Sequence, residues 1–155
     1  MRRPTTGCAR TFPPTFPPCP WAGLVAGLGA DRVLGVDTGA VTDPAERVAA
    51  LLSGLGATAT ATATGLRLRT DQVGEGYGAL TAAAEAVMRT AGRTAGLLLD
   101  PVYSGKALAG LAASVADGGI RPGERTVFVH TGGLPGLFGH PLAGRLAGDL
   151  LHRAM

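Results

Sequence analysis

The 155 residues are enough for one domain with a hydrophobic core, but they are too few for two comfortable domains. An apolar fraction of 46% is typical of globular proteins, and the longest uncharged apolar stretch, residues 21–30, has about half the length that spans a bilayer. The net charge of +3 comes from 14 basic residues, 13 of them arginines, which are spread thinly and accompanied by only seven aromatic residues. We therefore expect no transmembrane helix and no nucleic-acid partner.

The cysteines indicate a reduced setting. Cys8 and Cys19 occur without CxxC or Cys/His ligand spacing, which predicts neither a zinc site nor a disulfide framework. The start Met1-Arg2-Arg3 faintly resembles a secretory signal, but five prolines between residues 13 and 20 interrupt it, and no convincing cleavage site follows. We expect a cytoplasmic protein with no metal site.

Residues 1–20 differ from the rest of the chain. Six of the 11 prolines fall there, within and before a near-repeat that covers residues 11–20. Proline removes a backbone donor and restricts the residue before it. We therefore predict a proline-rich, irregular or disordered segment over 1–20, with no central strand or helix, ahead of an α/β domain over 21–155.

From residue 21 onward, helical and strand patterns alternate. A short helix is predicted over 21–29 and a buried strand over 32–37. The next helix begins at Asp43-Pro44-Ala45-Glu46, with Asp43 as the N-cap, Pro44 in the first turn and Glu46 three residues after the cap. Its apolar positions are Val48, Leu51, Leu52 and Leu55, and Gly56 ends it.

The second half of the chain continues this pattern. After a low-complexity stretch (57–64) and a glycine-rich turn (73–78), helical spacing runs through Leu80, Ala84, Val87, Met88 and Ala91. The apolar run 97–99 leads into Asp100-Pro101, and another helix carries Leu108, Leu111, Ala112 and Val115 on one face. A buried strand over 126–130 is followed by a final helical segment over 141–153. Such alternation predicts an α/β fold with a parallel sheet and flanking helices.

Ligands of parallel α/β sheets bind beyond the carboxyl ends of the strands. This rule marks the loops after Asp37, Leu99 and His130. Three stretches near these ends go beyond a general α/β pattern: VGEGYG at 73–78, LLLDPVYSGKALAGL at 97–111 and VFVHTGGLPGLF at 127–138. In order and spacing over roughly 21–140, they resemble the D-cysteine desulfhydrase and 1-aminocyclopropane-1-carboxylate deaminase family. Members of that family use pyridoxal phosphate on a tryptophan-synthase-β-like fold, so the resemblance implies a C-terminal part of such an enzyme with an incomplete large domain.

The resemblance implies roles for five residues. Tyr77, in the G-Y-G turn, and Tyr103, which faces the substrate and assists proton transfer, would be catalytic. Ser104, Thr131 and Gly132 would bind the cofactor. Small hydroxyl residues stand at 104 and 131 in the desulfhydrase branch, whereas the deaminase branch has Glu and Leu there.

The two branches differ in what they offer the pyridine nitrogen of the cofactor. A carboxylate favours the protonated nitrogen and a stronger electron sink, whereas a hydroxyl adds no charge. The implied reaction is α,β-elimination of D-cysteine, or a related D-amino acid, to pyruvate, ammonia and sulfide. The implied assembly is a homodimer.

Ordinary structural interpretations of these residues stay open. Tyr103 could be a packing residue, and Ser104 could cap the following helix. Residues 131–133 could form a tight strand-to-helix turn. We interpret Lys106 as a solvated charge in a first helical turn and His130 as a satisfied core histidine. Only the joint order of the motifs favours function.

Two parts that the family requires are missing from the sequence. The cofactor is held there by a lysine, but the only lysine of this chain, Lys106, matches a different position, and transaldimination needs a nucleophilic amine. Residues 17–21 (PPCPW) replace a glycine- and threonine-rich loop whose N–H groups cradle the cofactor phosphate. We expect pyridoxal phosphate as the family cofactor without covalent attachment, and a chain that is inactive alone. The abrupt change at Ala22 suggests a frameshifted or truncated reading frame.

Two other functions are compatible with the sequence. One is a non-catalytic pseudoenzyme domain that pairs with another chain or binds a small anion. The other is a generic dinucleotide binder, which ranks low because Thr38-Gly39-Ala40 follows the first predicted strand instead of G-x-G-x-x-G.

Overall fold

The structure, a computed structural model, describes residues 8–12, 19–55 and 62–151. Four parallel strands form one sheet in the order β3-β2-β1-β4. The strands are β1 Cys8–Phe12, β2 Val33–Val36, β3 Arg67–Arg69 and β4 Arg125–Phe128. The helices are α1 Cys19–Leu28, α2 Pro44–Gly54, α3 Ala82–Ala95, α4 Ser104–Ala116, α5 Leu134–Gly139 and α6 Ala143–Leu151. The predicted class, a parallel α/β sheet with flanking helices, is confirmed.

Strand β1 lies between β2 and β4, where Arg10 pairs with Val33 on one side and Val127 on the other. The expectation that residues 1–20 contain no central strand is therefore wrong for residues 8–12. The physical reason is that the prolines cluster after residue 12, so the five strand residues keep every backbone donor. The proline-rich residues 13–18 lie outside the described residues, and the division into a segment and a domain remains a prediction.

Helices cover both faces of β2, which is why all four of its residues are buried. Val33 packs into a core cluster with α1 and α2 that contains Trp21, Ala22, Val25, Val48, Leu52 and Leu66. On the opposite face, Gly110 of α4 lies against Val36. A Cβ at residue 110 would approach Val36 Cγ2 to 2.6 Å, so the small residue is what lets α4 reach the sheet.

Helix α2 begins as predicted, with Pro44 and Glu46 in its first turn. Asp43 occupies the N-cap position, but its side chain does not cap the helix. Its backbone is left-handed (φ 50°, ψ 54°), and its side chain makes no capping hydrogen bond. Val48 and Leu52 are buried, whereas Leu55, predicted on the same face, follows the helix and is exposed. Gly56 lies outside the described residues.

The buried face of α4 is not the predicted apolar one. Val115 is 56% exposed, and Leu108 and Leu111 are only half-buried. The buried residues are instead Ser104, Gly105, Lys106, Ala107, Ala109, Gly110 and Ser114. Small side chains on this face allow close approach to α3 as well as to the sheet, since a Cβ at Gly105 would lie 2.9 Å from Met88 Sδ.

Other boundaries differ in detail. Thr81 caps α3 by accepting a hydrogen bond from the Ala84 N–H (3.1 Å), so Leu80 lies before the helix. Strand β3 and helix α5 were not predicted, and residues 97–99 form no strand. Within the described ranges, no helix is long and apolar enough to cross a bilayer.

Candidate functional site

Asp100 organises the start of α4. Its buried carboxylate accepts four hydrogen bonds: Oδ2 from the N–H groups of Val102 (3.0 Å) and Tyr103 (2.7 Å), and Oδ1 from the N–H (2.8 Å) and hydroxyl (2.6 Å) of Ser104. Helix N-termini leave such N–H groups without intrahelical partners, and the helix dipole favours a negative charge there. Asp100 is therefore the capping side chain of α4, the role that the sequence left open for Ser104.

The hydroxyl of Ser104 is directed at Asp100. Its Oγ donates to Asp100 Oδ1 and accepts a hydrogen bond from the Asp100 N–H at 2.8 Å. The residue is fully buried. Because a hydroxyl has one donor and two acceptor sites, only one acceptor site remains. In this conformation Ser104 has no proton to donate to a ligand.

The loop after β4 lies against the same carboxylate. Gly133 has a φ of 122°, and a Cβ there would collide with Asp100 Oδ1. Only a residue without a side chain lets this loop come so close. The DPVYSG and HTGG motifs thus meet at Asp100, with Thr131 and Gly132 exposed beside them.

The two tyrosines of the chain meet across two loops. The Tyr77 and Tyr103 hydroxyls are hydrogen-bonded to each other, and their rings pack edge to face with centroids 5.5 Å apart. Burial, followed by the hydroxyl of Tyr77, raises the pKa of Tyr103 above its ordinary value. Tyr103 therefore keeps its proton at neutral pH, and Tyr77, 46% exposed, forms the outer side of the pair.

Lys106 carries a buried ammonium. Its side chain is 0% exposed, and Nζ donates to the carbonyl oxygens of Val73 (2.8 Å), Gly76 (2.8 Å), Tyr77 (3.2 Å) and Thr38 (3.3 Å). The interpretation of Lys106 as a solvated charge is therefore wrong. The side chain runs inward from α4 to the loops that follow β2 and β3, where backbone carbonyls replace water as its partners. Burial lowers the pKa of Lys106, while the Asp37 carboxylate acts in the opposite direction.

Two buried polar atoms near the carboxyl ends of β2 and β4 have no hydrogen-bond partner. They are Thr38 Oγ1 and His130 Nε2. The His130 ring is tilted against Phe128, with centroids 6.3 Å apart. The interpretation of His130 as a satisfied core histidine is therefore wrong for Nε2. Buried polar atoms are rarely left unpaired, so these two are candidates for ligand contact.

The predicted site residues lie around α4 and its neighbouring loops. Tyr77 and Tyr103 are in contact, and Ser104 shares the Asp100 carboxylate with the backbone of Tyr103. Thr131 lies in the exposed loop that follows β4. The catalytic and cofactor-binding roles of these residues stay predictions.

Sequence reasoning missed Asp100 and Lys106 as site-forming residues. Asp100 had a signal, since an Asp before a predicted helix is a preferred N-cap residue. Lys106 also had one, because it is the only lysine beside 13 arginines. No local pattern, however, could have placed its ammonium beside Thr38, which lies 68 residues away.

The described residues do not fit a covalently held pyridoxal phosphate. The only lysine has its Nζ enclosed by four carbonyl oxygens. The Ser104 hydroxyl is buried and already donates its hydrogen bond to Asp100. In the described ranges, no three His, Cys, Asp or Glu side chains are grouped to hold a metal ion either. What these residues offer is a tyrosine pair, two unpaired polar atoms and an exposed glycine-rich loop.

Comparison with known proteins adds the family context. A sequence profile described as pyridoxal-phosphate dependent enzyme matches residues 6–132. The match begins ahead of the proline-rich stretch, whereas the resemblance was expected to begin near residue 21. The abrupt change in sequence at Ala22 therefore does not mark the position where similarity to the family begins.

Curated relatives and a solved structure agree with this match. The 1-aminocyclopropane-1-carboxylate deaminase of Methylobacterium sp. (strain 4-46) is 33% identical over 80% of this chain and 40% of its own length. The deaminase of Burkholderia ambifaria (strain MC40-6) is 33% identical over 75% of this chain and 37% of its own. A crystal structure of an ACC deaminase homologue superposes with a TM-score of 0.65 at 25% identity, over 96% of this chain and 46% of that one. The chain thus spans between 37% and 46% of the length of these proteins.

Proposed function

Because the chain belongs to the family of pyridoxal-phosphate dependent enzymes, we propose that it carries the substrate-side tyrosine pair of a D-cysteine desulfhydrase-like lyase. We also propose that these 155 residues hold no cofactor covalently and do not catalyse the reaction alone. The observation that carries the second statement is the enclosure of Lys106 Nζ by four carbonyls.

The tyrosine pair supports a role in proton transfer. Tyr103 is a protonated phenol at neutral pH, and its hydroxyl contacts that of the half-exposed Tyr77. Two linked hydroxyls can pass a proton between a buried position and an open surface. Such a pair suits a reaction that moves a proton to or from a small amino acid.

The preference for D-cysteine rests on Ser104 and Thr131. The resemblance associates hydroxyls at both positions with the desulfhydrase branch. The Asp100 carboxylate directly behind Ser104 is satisfied by four donors, so it presents no free oxygen at that position. A site without a free carboxylate there would supply no charge to keep the pyridine nitrogen of a bound cofactor protonated, which suits elimination of a β-thiol better than opening of a cyclopropane ring, since ring opening demands a stronger electron sink.

A second candidate function is that of a non-catalytic domain paired with another chain or with a second copy. It is favoured by exposed apolar side chains on two elements: Val127 of the edge strand β4 is exposed, and Phe138 of α5 is 73% exposed. Exposed apolar patches and unpaired strand edges promote association. A concentration-dependent dimer in sedimentation, lost in Phe138→Ser, would support this candidate.

Cofactor attachment can be tested directly. The chain is incubated with pyridoxal phosphate, reduced with borohydride and mapped by mass spectrometry. We expect no adduct at Lys106 in the folded chain and an adduct after unfolding in urea, which is the matched control. An adduct at Lys106 in the folded chain, accompanied by keto-acid release from D-cysteine, contradicts the proposal.

The substrate preference needs a complete enzyme. Residues 73–138 can replace the corresponding segment of the Methylobacterium deaminase, and the chimera is assayed with D-cysteine and with 1-aminocyclopropane-1-carboxylate. We expect the ratio of activities to favour D-cysteine, and the double change Ser104→Glu with Thr131→Leu to shift it back. An unchanged ratio in the double variant would show that these two positions do not determine the substrate.

A further inference from the structure

We propose that Lys106 is the positioning residue of the tyrosine pair: its buried ammonium ties the turn 73–77 to α4 and so places the Tyr77 hydroxyl against Tyr103. The inference concerns the geometry of the pair and holds whether or not the substrate proposed above is right. Its tests use no enzymatic activity, so its failure is distinguishable from failure of the proposed function.

The ammonium joins three parts of the chain. It starts from α4, reaches the carbonyl of Thr38 after β2, and contacts the carbonyls of Val73, Gly76 and Tyr77 after β3. The two loops also pack directly, since a Cβ at Gly39 would lie 2.8 Å from Val73 Cγ1. The residues from 70 to 80 belong to no helix or strand. The ammonium therefore supplies contacts that secondary structure does not.

The geometry closes a ring through Tyr77. The carbonyl of Tyr77 accepts from Lys106 Nζ, and its hydroxyl meets Tyr103, three residues before Lys106 at the start of α4. Tyr103 is itself fixed by its N–H bond to Asp100 Oδ2. Both ends of Tyr77 are thus attached to one helix terminus. Without the ammonium, the turn would keep the hydroxyl contact of Tyr77, the packing of Val73 against Gly39 and the contact of the Gly78 carbonyl with His140 Nε2 (3.2 Å), but no bond from its carbonyls at 73, 76 and 77 to α4.

Lysine suits this place better than arginine. Four carbonyl oxygens converge on one point, which matches a compact ammonium with three rotatable donors and not a planar guanidinium. A positive charge in the first turn of a helix is also unfavourable with respect to the helix dipole, so its presence there calls for a compensating set of acceptors. The four carbonyls supply that set.

The composition of the chain makes the test sharp. Lys106 is the only lysine and Tyr77 and Tyr103 are the only tyrosines. In a sample labelled with ¹⁵N-lysine, the side-chain ammonium signal therefore reports Lys106 alone, and in a sample labelled with ¹³C-tyrosine, NOEs between the two rings report the pair alone at neutral pH. We expect the wild-type ammonium signal to persist because the buried group exchanges slowly with water.

The decisive variant is Lys106→Met, which keeps most of the length of the side chain and removes the ammonium. We expect the NOEs between the rings of Tyr77 and Tyr103 to disappear at neutral pH, because the turn 73–77 is released and the pair separates. Loss of a nearby positive charge alone would leave the two rings in contact, so this readout separates positioning from electrostatics. Arg93→Met, which removes an exposed charge from α3, is the matched control and should leave these NOEs in place.

Rescue distinguishes positioning from general stability. In Lys106→Ala at neutral pH, added propylammonium should restore the NOEs between the two tyrosine rings, whereas tetramethylammonium, which has no N–H donor, should not. Trp21 fluorescence monitors folding of the core on the other face of the sheet. A folded Lys106→Met chain that keeps the NOEs between the two tyrosine rings would overturn the proposal.

A second variant covers the case in which Lys106→Met does not fold. Tyr77→Phe removes the hydroxyl contact and keeps the lysine. If Lys106 holds the turn, its slowly exchanging ammonium signal survives in this variant. If the signal is lost, the hydroxyl pair holds the turn, and the proposal fails.

Discussion

The cap that Asp100 provides to α4 gives a quantitative prediction for Asp100→Asn. Four donors share the two carboxylate oxygens, two on each. Asparagine offers one oxygen with two lone pairs, so at most two donors keep a partner, and the new amide N–H₂ faces the others. The substitution therefore turns a satisfied cluster at a buried helix start into one with opposed donors.

The magnitude follows from the number of donors affected. A buried donor left without an acceptor costs about 1–3 kcal/mol. With two donors affected and some relaxation, we expect the free energy of unfolding to fall by about 2–4 kcal/mol, compared with a total of about 5–15 kcal/mol for a typical domain. Ser104→Ala should cost less, about 1–2 kcal/mol, because it removes only the hydroxyl from the cluster.

Urea denaturation followed by the fluorescence of Trp21, the only tryptophan, measures this change. Asp43→Asn is the matched control, since Asp43 stands at the start of α2 with an exposed side chain that makes no capping bond. Its left-handed backbone is one that asparagine tolerates, so we expect a change within about 0.5 kcal/mol. If Asp100→Asn is no more destabilising than Asp43→Asn, Asp100 is not the cap of α4.

Two further predictions concern Gly133 and Arg69. Gly133→Ala should lower the free energy of unfolding by about 2–3 kcal/mol, because its φ is 122° and the new Cβ would collide with Asp100. Gly139→Ala, with open space around residue 139, should change little in the same urea assay, and equal midpoints would contradict the packing argument. The hydrogen bond from Arg69 lowers the pKa of Asp71 to about 2, so its stabilisation is fully present above about pH 4 and is lost as the pH falls toward 2. The difference in Tm between wild type and Arg69→Met should therefore shrink over that window, and a difference that stays constant down to pH 2 would exclude the ion pair as its source.

The class of the fold was predictable because strong local patterns repeat along the chain. A buried strand over 33–36, followed by a helix with Pro44 in its first turn, leaves few alternatives to a parallel α/β sheet. The strands that were missed lack such patterns. β3 is three residues long with two arginines, and its pairing with β2 is what makes it a strand. β1 was missed because its proline-free residues were grouped with the prolines that follow them.

Periodicity also failed on α4 for a physical reason. The predicted face was chosen for its large apolar side chains, but a helix packed against both a sheet and another helix needs small ones at the contact. Gly105 and Gly110 allow approaches that a single Cβ would block. Hydrophobic patterning measures transfer from water and carries no information on such steric limits. Ser104 and Lys106 are buried because they lie on this glycine-containing face of α4, which packs against the sheet and α3.

The site depends on long-range polar contacts that sequence patterns do not encode. The tyrosines are 26 residues apart, and only the family resemblance placed them together. Lys106 is more instructive, since arginine occupies the other 13 basic positions of this chain. Where either cation would serve, this composition favours arginine, so one retained lysine indicates a position that requires a compact ammonium. The four carbonyls around Nζ meet that requirement, and the same contacts keep the amine from acting as a nucleophile. A lysine that holds the turn of Tyr77 in this way can thus preserve the geometry of the tyrosine pair without itself serving to attach the cofactor.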